Sequence, residues 1–262
     1  MKLYLPVVVS TGMLLMSSMP VFSAAIRNPA GSTANSLAAN DDLSTGAVGL
    51  GFSVNFFGAL GSTVFVNNNG NVTFTNALGT FTPNGLNTGV GQPIIAPFFA
   101  DVDTRVGNIV RYGTGTVTDP ILGWNNFKDF AVEFPGVGYF SSHVDKLDTF
   151  ELLLVDRSDI GSGNFDIEYN YNSIQWETGD ASGGTGGLGG TSAAVGYSNG
   201  LSGSNNVFFQ LPGSLVNGAL IDGGSNALIS NSLNSSVRGR YDFQVRNGTV
   251  ITRHPSLVAC CC

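Results

Sequence analysis

The residues whose type and spacing invite chemistry are few. Asp101 and Asp103 stand two apart at the end of an apolar run, and Arg105 follows two positions later. On an extended backbone, residues two apart share a face, so the two carboxylates can share a cation. Arg105 can instead bridge to either one. Two carboxylates fall short of the roughly six to eight oxygens that calcium takes, which favours the ion pair and leaves calcium as the competing reading. Asp101, Asp103 and Arg105 are therefore the candidate binding residues. No catalytic residue is assigned, and no cofactor beyond that calcium alternative.

Other acids are weaker candidates. Asp156, Ser158, Asp159, Asn164 and Asp166 form a second oxygen-rich stretch, but Ile160 stands where a calcium loop needs a ligand. Glu133, Glu151, Glu168 and Glu177 lie on or near expected strands, and a carboxylate pair can hydrolyse glycosides. Alternation turns Glu168 toward solvent, and surface charge is the default for all four. A nucleophile needs a base beside it. The two histidines are His143, in a polar loop, and His254, near the end, and no G-x-S-x-G elbow is present. Residues 184–189 match G-x-G-x-x-G, but a dinucleotide site needs a helix to follow, and a β-like segment does. They read as part of a flexible glycine-rich loop, residues 179–190. Trp124, Trp176, Tyr139 and Phe140 suggest a sugar-stacking platform, although aromatics in β domains more often pack the core.

The elements that must position these residues read as strands. Phe52, Val54 and Phe56 alternate with Ser53 and Asn55. Phe165, Ile167, Tyr169 and Tyr171 alternate with Asp166, Glu168, Asn170 and Asn172. Residues 150–155 are nearly all apolar, as in a strand covered on both faces. Residues 63–66 and 72–75 flank Asn67-Asn68-Asn69-Gly70-Asn71, the clearest hairpin in the chain. Further strands are expected over 94–99, 108–112, 128–134, 193–197, 207–211 and 240–245. No segment sustains a helical period. The fold class is all-β: one β-sandwich-like domain over residues 26–246 with glycine-rich loops, whose first twenty residues are an irregular lead-in.

Composition narrows the partners. Only 11% of residues are charged and the net charge is −7, with the basic residues spread thinly. Nucleic acid and anionic membranes need basic clusters, so neither is an expected partner. Residues 1–25 carry Lys2, an apolar run and small residues at 21–25, the pattern of a cleaved signal peptide. No later segment is apolar enough to span a membrane. Residues 247–262 read as a tail. It contains Cys260, Cys261 and Cys262, the only cysteines of the chain.

Several blocks resemble the nidogen-like extracellular (NIDO) domain family. They include Ile94-Ile95-Ala96-Pro97-Phe98-Phe99-Ala100-Asp101-Val102-Asp103-Thr104-Arg105, Phe56-Phe57-Gly58, the hairpin over 66–74, the run from Phe165 to Trp176, Ala193 to Tyr197, and Leu211 to Ser214. The family occurs in nidogens, tectorin-like and mucin-like proteins and bacterial secreted proteins. The cysteine-free, Asn- and Gly-rich body is more similar to the bacterial members. The resemblance implies a secreted or cell-surface domain that adheres to or binds an extracellular protein or glycan and catalyses no reaction. A lectin-like carbohydrate-binding domain is the alternative, and a carboxylate-pair glycoside hydrolase ranks third.

Overall fold

Short alternating segments broken by Gly and Asn favour antiparallel strands joined by tight turns. The computed structural model describes residues 25–251. The expected leader, apart from Ala25, and Cys260–Cys262 lie outside the described residues. Among those residues the regular structure is strands and four short 3-10 turns. The strands begin with β1 Asn35–Ser36, β2 Val48–Phe56, β3 Ala59–Asn67, β4 Asn71–Thr73, β5 Ile94–Phe99 and β6 Val102–Asp103. Next come β7 Arg111–Asp119, β8 Trp124–Tyr139, β9 His143–Asp156, β10 Phe165–Ser173, β11 Gly184–Thr185 and β12 Leu188–Gly189. β13 Ala194–Ser198, β14 Phe208–Gln210, β15 Arg240–Arg246 and β16 Thr249–Ile251 complete the set.

Two antiparallel sheets pack as a sandwich. The larger has the order β1-β7-β8-β9-β10-β15-β16, with β6 paired to β8; the smaller runs β14-β13-β5-β4-β3-β2. One apolar core lies between them. The large sheet contributes Phe130, Phe134, Phe150, Leu152, Ile167, Tyr169 and Phe243, and the small sheet Phe56, Val66, Ile95, Phe98 and Val195. Two tyrosines cross this core and bind the facing backbone. Tyr169 Oη donates to the Gly196 carbonyl at 2.7 Å, and Tyr171 Oη to the Pro97 carbonyl at 2.5 Å. Each hydroxyl is thus satisfied in an apolar setting, where leaving it unpaired is costly.

The outer face of the large sheet is also covered. Glu133, Glu151, Asn170 and Arg240 are successive cross-strand partners on β8, β9, β10 and β15. Glu168 and Asp242 are partners in the next row. Glu168 is fully buried, and Glu133, Glu151 and Glu177 are buried with it, which corrects the surface position expected for all four. For Glu133, Glu151 and Glu168 the reason is the lead-in segment, which lies across this face; Glu177 is covered instead by residues 218–220. Arg27 forms a bidentate pair with Glu168 and reaches Asp119 Oδ2 at 2.6 Å, while its guanidinium sits 5.0 Å over the Trp124 ring. The backbone N–H groups of Arg27 and Asn28 donate to the two oxygens of Glu151 at 3.0 and 3.1 Å. Gly113 on β7 permits the close approach, since a Cβ there would stand 2.2 Å from the Gly31 carbonyl oxygen.

Other boundaries shift for local reasons. The strand expected over 128–134 extends to Trp124–Tyr139, because it pairs with both neighbours along most of its length. The strand expected from Asn108 begins at Arg111; Asn108 instead donates from Nδ2 to the Pro135 carbonyl at 2.8 Å. The glycine-rich stretch 179–190 is ordered, with a 3-10 turn and the β11–β12 hairpin. The sheet continues past Asn247 to Ile251 through the β15–β16 hairpin.

Replacing Arg27 by Met removes the bidentate partner of Glu168 and leaves this buried carboxylate only Arg240, at 3.4 Å, and Asn170. Urea unfolding of Arg27→Met is expected to show a loss of about 3 kcal/mol, as for other broken buried pairs. A loss below about 0.5 kcal/mol, the range of ordinary surface changes, would show that the clamp does not hold this face.

Candidate functional site

The β3–β4 hairpin organises one corner of the domain. Asn carries both donors and an acceptor on a short side chain, so it can tie several loops at once. Asn67, Asn68, Asn69 and Asn71 are all buried. Asn68 Nδ2 donates to the Asp41 and Val102 carbonyls, at 2.5 and 2.6 Å. Asn69 Oδ1 accepts from the Val102 N–H at 3.0 Å, and its Nδ2 donates to Asp42 Oδ1 at 2.9 Å. Thr104 Oγ1 donates to the Asn40 carbonyl and lies 3.0 Å from Asn68 Oδ1. Gly70 closes the turn at φ 74°, and a Cβ there would stand 1.7 Å from the Phe98 carbonyl oxygen. Glycine is required on both counts. The hairpin thereby brings residues 40–42 against residues 101–104.

The candidate acids separate into two groups. Arg105 pairs bidentately with Asp103, and Asp103 Oδ2 also accepts from the Ser142 N–H at 2.7 Å. Burial pushes the Asp103 carboxyl up, but these hydrogen bonds outweigh it and hold the group below the usual carboxylate range. Arg105 also lies 3.3 Å from Asp41 Oδ2 and packs 5.3 Å over the Phe140 ring. The ion pairs of Arg105 run to Asp103 and Asp41, not to Asp101.

Asp101 instead joins Asp41 and Asp42. One ligand oxygen from each lies within 4.8 Å of the others. Asp101 is 2% exposed, and its Oδ2 has no hydrogen-bond partner; Asp41 Oδ1 is likewise buried and unpartnered. Burial first, then the neighbouring carboxylates Asp41, Asp42 and Asp103, push Asp101 up to about 7. Burial first, then Asp103 and Asp42, push Asp41 up to about 6, against the pull of Arg105. The sequence reading missed Asp41 and Asp42 because they lie in the irregular lead-in. Their signal was an Asp-Asp pair just before the first long strand, in a chain with few charges.

The remaining candidates are occupied elsewhere. Asp166 accepts from Trp124 Nε1 and Arg157 Nη1, both at 2.9 Å, and pairs with Arg246 at 2.6 Å. Asp159 pairs with Arg157, and Asp156 Oδ1 accepts from the Ser158 N–H at 2.9 Å, closing a turn. The second oxygen-rich stretch is therefore held by arginines and a turn. Glu133 accepts from Ser32 Oγ at 2.7 Å, and Glu177 from the N–H groups of Gly218 and Leu220. His143 opens β9, stacks on Tyr139 at 4.6 Å and pairs with Asp180 at 2.8 Å. Trp124, Trp176 and Tyr139 are buried, so they offer no stacking platform. Asn71, the acceptor of one glycosylation sequon, is buried as well.

A family model described as the nidogen-like domain matches residues 62–247. The chain belongs to the nidogen-like domain family. This family is of the extracellular-matrix type and is in general non-catalytic. Among curated proteins the chain is 34% identical to mouse (Mus musculus) alpha-tectorin over 228 residues, which is 78% of this chain and 10% of that protein. Human alpha-tectorin is 33% and chicken (Gallus gallus) alpha-tectorin 31% identical over the same length and shares. The chain spans about a tenth of the length of these relatives. All three come from vertebrates and lend no support to the bacterial affinity expected from composition. No solved structure matches the chain. The nidogen-like match covers the asparagine hairpin and residues 101–105, whereas Asp41 and Asp42 precede it.

The raised carboxyls set a pH dependence. Asp41 near 6, and Asp101, Asp129 and Glu151 near 7, keep protons in the folded state that the unfolded chain releases near 4. Between those values the native state binds more protons, so stability falls as pH rises from about 5 to 8. Asp103 and Asp119, held low, contribute stability that is already complete in this window. In buffer with a metal chelator, the melting temperature is expected to be higher at pH 5 than at pH 8. The opposite order would contradict these assignments.

Proposed function

We propose that the chain is an exported, non-catalytic nidogen-like domain that binds a protein or glycan of the cell surface or extracellular matrix. The observation that carries this reading is the state of the strand carboxylates. Glu133, Glu151, Glu168 and Glu177 are buried beneath other segments and hydrogen-bonded to them, so none is presented to a substrate as a general acid or nucleophile. The family membership and the resemblance to alpha-tectorins support an extracellular setting. The leader-like segment at residues 1–25 supports export. No helix of the described residues is long and apolar enough to cross a membrane.

Burial of the tryptophans weakens the lectin alternative, because sugar binding by stacking needs an exposed aromatic face. A protein partner has a candidate surface at the β13–β14 turn. There Leu201, Val207 and Phe208 are about half exposed, beside the free edge of β14. Exposed apolar groups next to an unpaired strand edge suit protein contact.

The full chain, immobilised, is to be tested against purified matrix proteins and a glycan array. Saturable binding to a matrix protein, weakened at least tenfold by Phe208→Asp, is the expected result. Binding confined to glycans would replace it with the lectin alternative. Hydrolysis of a polysaccharide, lost on Glu133→Gln or Glu151→Gln, would overturn the non-catalytic reading.

A further inference from the structure

The corner built by the asparagine hairpin has an excess of negative charge. Four carboxylates, Asp41, Asp42, Asp101 and Asp103, stand near a single guanidinium. Arg105 is committed to Asp103 and to the Phe140 ring, and reaches only Asp41 among the other three. Asp101 is left buried, with an oxygen that no protein group serves. Gly179 packs directly on it, since a Cβ there would stand 2.4 Å from Asp101 Oδ2. The carboxylate is therefore covered on that side by the Gly179 backbone. A buried polar atom without a partner calls for an explanation, such as a bound water or ion; Asp101 Oδ2 is set apart by the two further carboxylates beside it.

We propose that Asp41, Asp42 and Asp101 form a calcium site that joins the lead-in segment to the end of β5. The geometry fits one ion. A cation at about 2.3–2.6 Å from each oxygen can bridge ligands up to about 5 Å apart, and the three oxygens lie within 4.8 Å of one another. The donors are carboxylates, with no imidazole or thiolate among the three, which suits a hard cation rather than zinc or copper. Magnesium needs shorter bonds and a stricter octahedron, so it fits less well. Asn69 is a positioning residue: its Nδ2 holds Asp42 Oδ1 at 2.9 Å, while its Oδ1 holds the N–H of Val102, next to Asp101. The ion would bind the unserved Asp101 oxygen and offset the repulsion among the carboxylates. Asp103, already satisfied by Arg105 and Ser142, stays outside the ligand set. This inference does not depend on which macromolecule the domain binds.

The test uses the purified full chain, stripped with a chelator and returned to chelator-free buffer at pH 7.5. Equilibrium dialysis against calcium chloride is expected to give one ion per chain, with a dissociation constant on the order of 10⁻⁴–10⁻³ M, as in extracellular calcium modules. At a hundredfold excess of free calcium over that constant the melting temperature is expected to rise by about 5 °C. Asp42→Asn, at the half-buried rim, is expected to fold and to bind at least tenfold more weakly. Asp101→Asn removes the buried unpaired charge. Without calcium it is expected to melt no lower than the wild type, and to show no calcium shift. Absence of binding at about 5 mM free calcium, well above that range, would overturn the proposal. So would undiminished binding in Asp42→Asn, or an equal rise in melting temperature with magnesium. If Asp101→Asn fails to fold, Asp42→Asn decides alone.

Discussion

The fold depends on the arginine clamp across the outer face of the large sheet. Arg27 and Arg240 meet Glu168, Asp119 and Asn170 there, and Arg240 Nη2 also holds the Ala25 carbonyl at 2.9 Å. A carboxylate enters a protein interior only when charge and hydrogen bonds replace its water. The clamp provides both, and it binds the lead-in segment to the strands. Asp242, the cross-strand partner of Glu168, is pushed up by burial and then by Glu168, against the pull of Arg240 and Arg27.

Positive charge is scarce in this chain, with eleven basic residues against eighteen acidic ones. Its allocation separates structural carboxylates from the rest. Asp166 takes Arg157 and Arg246, Glu168 takes Arg27 and Arg240, and Asp103 takes Arg105. Buried asparagine amides bring Asp41, Asp42 and Asp101 together, and of the three only Asp41 forms an ion pair, with the Arg105 already taken by Asp103. A nidogen-like domain organised in this way has its acidic side chains occupied by architecture across the large sheet and concentrated at one corner.

The sequence revealed the small-scale order better than the layers. The alternation from Phe165 to Tyr171 correctly placed Phe165, Ile167, Tyr169 and Tyr171 in the core. It turned Glu168 toward solvent because a period of two reports opposite faces, not what lies beyond each face. Coverage comes from Ala25 to Ser36, more than a hundred residues away in the chain, in a stretch with no periodic signal. The near-continuous apolar run at 150–155 did signal double coverage. Phe150, Leu152 and Leu154 join the main core, while Leu153 and Val155 pack with Trp124 on the other side. The asparagine hairpin was legible from its turn chemistry. The function of its amides, each tying loops distant in sequence, was not, because hydrogen bonds over such separations leave no local pattern. The same limit hid Asp41 and Asp42 from the pairing with Asp101.

At one corner of the domain, Asp41, Asp42 and Asp101 are held together without their share of positive charge. The most direct measurement is a carboxyl-carbon NMR titration of Asp41 and Asp101 in calcium-free buffer. The account predicts midpoints near 6 and 7. Midpoints near 4, the ordinary value for an aspartate in water, would show that both groups are well solvated and would contradict it.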